Sequence, residues 1–510
     1  MSAAHDFPAT SPAGGPSRVT TPTIQIIDEE GRGVMEDFDD GASESNEVAI
    51  EKTSVDVQSI LYERALHNKD NDRFWPELIL NEILTETVIA DLLCSNDVLA
   101  NKIATYHRKV FAILIIHGRE KEIQLFIDEN VRDEDLPLSS ESSQKTRPCF
   151  SKWKPFELDS FRHTQYGMIP LFLDFEGDGT TVRQINLEPK VLLPFLTEES
   201  SGAGGYSEVY KVVIDARSHG FDRALNSIAT NDCFAVKKIS HAQQRKKEMN
   251  FEAEVKALQR FSGFIHDHLI TLLMSWKTSN DYFLLFVWAE YDLDNYWEHH
   301  ELPIRAGVPD VDYVRWIAKQ IVGMAGALDT MHNFRNVELA SNQKRYARHG
   351  DIKPENILWY RSPSDKRGIL VLADLGLTTF NSTKSRSAQP GRYVPVTLTY
   401  RPPECDLVGG VVSRAFDVWT YGCVLLELVC WALGGQPLRA QFAKERRTLY
   451  PATNVRSDIF FEVLKVKDGP TEYAVSVKEE VGQVSSSSVR RTFARKSTDH
   501  PSVDHEAPQT

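Results

Sequence analysis

Eight consecutive residues, His349-Gly350-Asp351-Ile352-Lys353-Pro354-Glu355-Asn356, restrict this chain more than any other stretch in it. They set a carboxylate, an ammonium and an amide at fixed short spacing, then run into an apolar, strand-like segment, Ile357-Leu358-Trp359. A plain turn between a helix and a strand has no use for that set. Phosphoryl transfer does: it needs an acceptor for the hydroxyl proton, a cation for the moving phosphate and an oxygen ligand for magnesium.

A glycine-rich stretch lies upstream, Ser201-Gly202-Ala203-Gly204-Gly205-Tyr206-Ser207-Glu208-Val209-Tyr210-Lys211-Val212. Alone it is ambiguous, because dinucleotide-binding folds use a close pattern. Those folds need a helix directly after the glycines, with its N-terminus aimed at pyrophosphate. Here Val209-Tyr210-Lys211-Val212-Val213-Ile214 comes next, β-branched and aromatic, which predicts a strand. The glycines therefore sit at the tip of a hairpin able to fold over phosphates. Phe234-Ala235-Val236-Lys237 is a strand ending in lysine, and a lysine on an apolar strand needs a charged partner or ligand. The amphipathic helix after it, with Phe251, Val255 and Leu258, offers Glu254, and Glu252 is the partner to exclude.

Strand-like runs at 269–276 and 282–288 lead to Ala289-Glu290-Tyr291-Asp292-Leu293. His266-Asp267-His268 and His299-His300 lack a third metal ligand at a known spacing and are read as structural. A helix over 311–332 and a polar insert over 333–348 precede the central motif. After it come Leu370-Val371-Leu372-Ala373-Asp374-Leu375-Gly376 and Tyr400-Arg401-Pro402-Pro403-Glu404. Phe416-Asp417-Val418-Trp419-Thr420-Tyr421-Gly422 then opens an apolar helix ending near Leu433, and 458–464 is read as one more helix.

In order and spacing, these motifs resemble the eukaryotic protein kinase family over residues 192–465. Lysine two residues after Asp351 is the serine/threonine form. The preceding region is similar to that of a fungal group with a helical N-terminal extension. The resemblance implies an α+β, two-lobed fold with an antiparallel β-sheet N-lobe, a mainly helical C-lobe and ATP in the cleft. It assigns Gly202, Gly204 and Val209 to the phosphate lid, and Lys237, paired with Glu254, to the α- and β-phosphates. Asp351 would accept the hydroxyl proton, Lys353 would neutralise the γ-phosphate, and Asn356 and Asp374 would bind Mg2+. Adenine would lie between Val209 and Ala235 above and Leu358 below, against a hinge from Val287 to Ala289. Leu258, His349 and Leu375 would stack into an internal spine anchored by Asp417.

The chain departs from the family at several positions. Ser207 replaces the third lid glycine, Leu375 replaces a Phe, and Gly350 replaces the Arg that normally precedes the catalytic Asp. The later C-lobe helices and the Arg that pairs with Glu404 are not recognisable after Leu464, so the lobe reads as truncated. An uncovered apolar floor that promotes self-association is expected. The leading expectation is a protein kinase acting on Ser/Thr hydroxyls; the alternative is a catalytically weak or inactive kinase fold serving as a nucleotide-binding scaffold.

Outside that region, 1–52 is Pro/Ser/Gly-rich and then acidic, and is expected to be disordered. Residues 53–131 form a helical module with Val98, Ile103, Tyr106 and Val110 near helical spacing, a candidate docking platform for a protein partner. Residues 132–191 read as a linker and an aromatic segment packing onto the kinase-like region after it, and 466–510 as a Ser-rich disordered tail. A net charge of −14 argues against a nucleic-acid partner. Six scattered cysteines without a C-x-x-C pair fit reduced thiols inside the cell. No signal segment is visible, and no apolar run reaches the ~20 residues that span a bilayer. The expectation is an intracellular protein, cytoplasmic or nuclear, with no membrane partner.

Overall fold

The structure, a computed structural model, describes residues 54–138, 147–175, 182–203, 207–221, 228–229, 231–240, 255, 258, 266–279, 281–300, 304–305, 308–333, 345–375, 379–382, 389–390, 397–407, 409–450, 455–465 and 473–483. The acidic N-terminal tail, Gly204 and Glu254 lie outside them.

Six helices open the described chain: Ser54–Glu63, Glu77–Ile83, Glu86–Leu93, Asp97–Tyr106, Arg108–Ile116 and Ile123–Asp128. Asn96 caps the fourth by accepting the Leu99 N–H. Every residue of the fifth from Val110 onward is buried, as expected of a helix apolar all round. The spacing Val98–Ile103–Tyr106–Val110 is not one stripe, because the chain turns at His107 and leaves Val98 and Tyr106 exposed. That break is fixed from a distance: the His107 ring meets the Val131 carbonyl at 2.8 Å, and Asp133 accepts the N–H groups of Lys109 and Val110.

The aromatic segment packs mostly backward, while its end packs forward as expected, with Phe175 against Phe221 in the core of the region after it. Phe150, Trp153 and Phe161 meet one another at 5.1–5.6 Å, and Phe150 and Phe161 meet Phe126 at 5.3 and 6.2 Å, so the helical module runs on through the helix Pro155–Met168.

A six-stranded sheet comes next, in spatial order Arg183–Asn186, Met274–Lys277, Asp281–Val287, Cys233–Ser240, Ser207–Ile214, Phe195–Ala203. Its first strand pairs parallel to Met274–Lys277 and the rest are antiparallel. The strands of the kinase-like region are antiparallel, as expected, and the segment before it adds one parallel edge strand. Lys69 anchors the helical module to this sheet through its N–H to the Phe195 carbonyl (2.7 Å) and its ammonium to Glu198 (3.3 Å).

The helix Val311–His332 has the limits read from the sequence. Its Gly323 and Gly326 leave room for the rings of His268 and His266, and His268 is held by the Leu370 carbonyl at 2.7 Å. Both histidines thus serve packing.

The span Ala415–Glu445 is two helices joined at a non-helical Gly435 (φ +67°) before Pro437, so the first ends close to Leu433, as read, and a second follows it. By length and composition alone the span passes for one able to cross a bilayer, as a buried core helix also does. In this fold its first helix is the core helix of the lower lobe, burying Val424, Leu428 and Trp431 together with the carboxylates of Asp417 and Glu427.

Beyond it, the helix expected at 458–464 is instead the strand Phe461–Lys465, paired with Tyr473–Val477. A second hairpin joins Thr448–Tyr450 to Val455–Ser457. The tail read as disordered therefore contains a strand. Ile459, Phe460 and Phe461 are buried, with Phe460 against Phe442 and Tyr400 and Phe461 against Trp419. The apolar floor expected to lie bare is covered over these residues, although Val418 and Val429 remain exposed.

Candidate active site

A cleft of about 750 Å³ opens below the sheet, a size suited to small-molecule ligands. Its walls hold Val209, Ala235, Lys237, Val287, Ala289, Leu358, Asn356 and Asp374, all singled out from sequence. Sheet register explains the upper wall: Val209 faces Lys237, Ala235 faces Phe286 and Lys237 faces Leu284 across neighbouring strands. Gly202 pairs with Val209, so a hairpin strand and not a helix follows the glycines.

The lower wall is built on the antiparallel pair Ile357–Tyr360 and Ile369–Leu372, which sets Leu358 opposite Val371 and brings Asp374 beside the central motif. Lys237 Nζ lies 3.4 Å from Asp374 Oδ1, across 137 residues of chain. Asp374 takes φ +59°, a left-handed backbone that a non-glycine residue holds only when its surroundings enforce it. Gly350 also has positive φ, +89°.

Asp351 is surrounded by donors. Lys353 Nζ is 2.9 Å from Oδ2, Asn356 Nδ2 donates to the same oxygen at 3.0 Å, and Thr397 Oγ1 donates to Oδ1 at 3.2 Å. Asn356 Nδ2 also donates to the Asp351 carbonyl (2.8 Å), which leaves the amide oxygen as the atom available to a cation. Lys353 Nζ donates in addition to Thr397 Oγ1 (3.2 Å).

Beneath them, the fully buried Asp417 accepts the N–H groups of His349 (2.8 Å) and Gly350 (2.9 Å) and contacts His332 Nε2 (2.8 Å). His349 Nε2 meets the Ala373 carbonyl (2.9 Å), joining the motif to the residue before Asp374. Leu258, His349 and Leu375 are all buried.

Sequence reasoning missed Thr397, whose only signal was its place shortly before Tyr400-Arg401-Pro402-Pro403-Glu404. It also missed Glu355, whose carboxyl is pushed up by burial, with the Lys353 charge opposing and Asp294 and Asp292 adding to the rise. Glu404 is half-buried, and burial raises its pKa against the pull of the Arg348 guanidinium. Among the described residues, the cation whose charge acts on Glu404 is Arg348, which stands before the central motif.

A family model described as "Protein kinase domain" matches residues 195–449, half of the chain. CTD kinase subunit alpha of Schizosaccharomyces pombe is 30% identical over 228 residues, 44% of this chain and 31% of that protein. Cyclin-dependent kinase 8 of Caenorhabditis elegans is 30% identical over 241 residues, 47% and 37% of the two chains. The serine/threonine-protein kinase SSN3 of Chaetomium globosum is 26% identical over 248 residues, 46% and 44%. The chain therefore spans less than half the length of these three curated relatives.

Proposed function

Because this chain belongs to the protein kinase family, we propose that it transfers the γ-phosphoryl group of Mg-ATP to a serine or threonine hydroxyl of a protein. The observation that carries this is the donor set around Asp351, joined through Asn356 to a cleft whose opposite wall holds Lys237 beside Asp374.

Asp351 takes the proton of the acceptor hydroxyl as its oxygen bonds to phosphorus and the bond to the ADP oxygen breaks. Lys353 and Thr397 hold that carboxylate in place, and the Lys353 ammonium offsets charge on the transferring phosphoryl. Lys237 serves the α- and β-phosphates, and the apolar faces of Val209, Ala235 and Leu358 take the adenine. The Asn356 oxygen and the partly exposed Asp374 carboxylate are hard oxygen donors suited to Mg2+, which when bound neutralises phosphate charge.

Relatives whose names speak of a kinase subunit and of a cyclin support a protein partner for this chain, which we assign to the helical module of residues 54–168. Six free cysteines fit a reducing compartment inside the cell.

The test is phosphotransfer from labelled Mg-ATP by the purified full chain to a basic protein substrate, followed by phosphoamino-acid analysis. Phosphoserine or phosphothreonine, lost on adding EDTA, is expected. Tight Mg-ATP binding without transfer would overturn the assignment in favour of a nucleotide-binding scaffold.

A further inference from the structure

The residues that close the floor also reach the active site. Arg446, the first residue after the long helix, is completely buried. Its guanidinium lies 4.0 Å from the ring centres of both Phe442 and Phe460. Nη2 donates to Glu427 Oε1 at 2.8 Å, and Nε donates to the Asp458 carbonyl at 3.0 Å. Lys478, the residue after the last described strand, in turn donates to the Arg446 carbonyl at 2.5 Å and holds Arg446 from behind.

Each partner of Arg446 then grips the same short segment. Glu427 Oε2 accepts the Tyr400 hydroxyl (2.9 Å), and Asp458 Oδ1 accepts the Thr399 hydroxyl (2.8 Å). Two residues before Thr399 stands Thr397, whose hydroxyl bridges Lys353 and Asp351. Glu427 is buried, and a buried carboxylate left without a cation is strongly disfavoured. Arg439 is also near, 3.7 Å from Glu427 Oε2, but it is divided between that oxygen and Asp294. The fork of Arg446 is the group that spans both Glu427 and Asp458, a geometry that a lysine cannot reproduce.

We propose that Arg446 is a positioning residue for phosphoryl transfer: through Glu427 and Asp458 it fixes the Thr397–Tyr400 segment, and through Thr397 it fixes the carboxylate of Asp351. Arg446 and Asp458 thus link the floor of the lobe to the reaction. This rests on the assignment of Asp351 made above.

The test uses the full chain with Arg446→Lys, which keeps the buried charge but loses the fork, and Thr399→Val, which removes the Asp458 tether and leaves the Arg446–Glu427 pair intact. Hydrogen exchange over 397–404, Mg-ATP affinity and kcat are measured. Both variants should exchange faster over 397–404, bind Mg-ATP as wild type does, and lose kcat by roughly tenfold or more, since small misplacements of reacting groups are costly. Should Arg446→Lys fail to fold, Thr399→Val alone decides. Unchanged exchange in a folded variant, or faster exchange with undiminished kcat, would overturn the proposal. Faster exchange in the variants of a chain whose wild type transfers no phosphate would keep the tether and overturn the kinase assignment instead.

Discussion

The cleft and the floor of the lower lobe are built on opposite plans. The cleft takes the groups around its catalytic carboxylate chiefly from one short motif in which spacing along the chain fixes spacing in space. Asp351, Lys353 and Asn356 fall within six residues, while the Lys237–Asp374 contact is brought in from afar. The floor is assembled from residues far apart. Glu427 meets Arg446 across 19 residues and Tyr400 across 27, while Thr399 meets Asp458 across 59. A site written as local spacing holds its groups together over a few residues of chain. A floor written as long-range pairs need only supply the right charges and apolar surfaces, from hairpins as well as from helices.

The largest effect on stability should come from breaking the floor at its buried pair. Glu427→Ala leaves the Arg446 cation without its carboxylate and should cost about 3–5 kcal/mol. For a unit of this size that lowers the melting temperature by roughly 10 °C, read by calorimetry on the full chain. A drop no greater than that of an exposed substitution such as Lys444→Ala would show that the floor does not depend on this pair.

A smaller effect is expected where the helix Val311–His332 meets the loop bearing His266 and His268. A Cβ at Gly323 would run into the His268 ring, which its Leu370 contact holds in place. Gly323→Ala should therefore destabilise by about 1–3 kcal/mol. Burial lowers the pKa of both histidines below the ordinary 6.5. The unfolded chain then binds protons that the folded chain refuses, so their contribution is intact above pH 6.5 and is lost as pH falls below it. Melting temperature should decline from pH 7.5 to 5.5, and less steeply in His268→Asn. An equal slope in both proteins would remove His268 from the account.

No effect at all is expected from phosphatase treatment. In many kinases a phosphate in the segment between the magnesium Asp and the Glu of Glu404 pairs with the Arg before the catalytic Asp. Gly350 offers no cation there, although Ser385 and Ser387 stand beside Lys384 and Arg386 in sequence. Loss of phosphotransfer on dephosphorylation, mapped to residues 375–403, would contradict this.

The same contrast explains what was legible in the sequence. Val209, Ala235, Lys237, Leu358, Asn356 and Asp374 could be named because each sits at a fixed offset in a strand or motif, and all six line one cleft. Thr397 could not, because its link to Asp351 depends on how the chain returns after Asp374. Residues 458–464 read as a helix because apolar residues there are close enough together to suit either period. Pairing with Tyr473–Val477, beyond a segment read as tail, decided for strand. Trp153 and Phe161 were visible as packing residues of the aromatic segment, but composition carries no direction, and Phe126, the partner of Phe161, lies upstream. The edge strand Arg183–Asn186 gave no signal, since four residues alternating between half-buried and exposed resemble any loop.

The central claim is that the chemistry resides in the locally written cleft, and Asp351→Asn tests it most directly. Asparagine keeps the shape but cannot take the hydroxyl proton. Phosphotransfer should fall by about a thousandfold, within the range for losing a general base, while Mg-ATP affinity stays at the wild-type value. Asp374→Ala, measured alongside, should weaken Mg-ATP binding itself. Equal phosphotransfer by wild type and Asp351→Asn, in preparations free of contaminating kinase, would contradict the account.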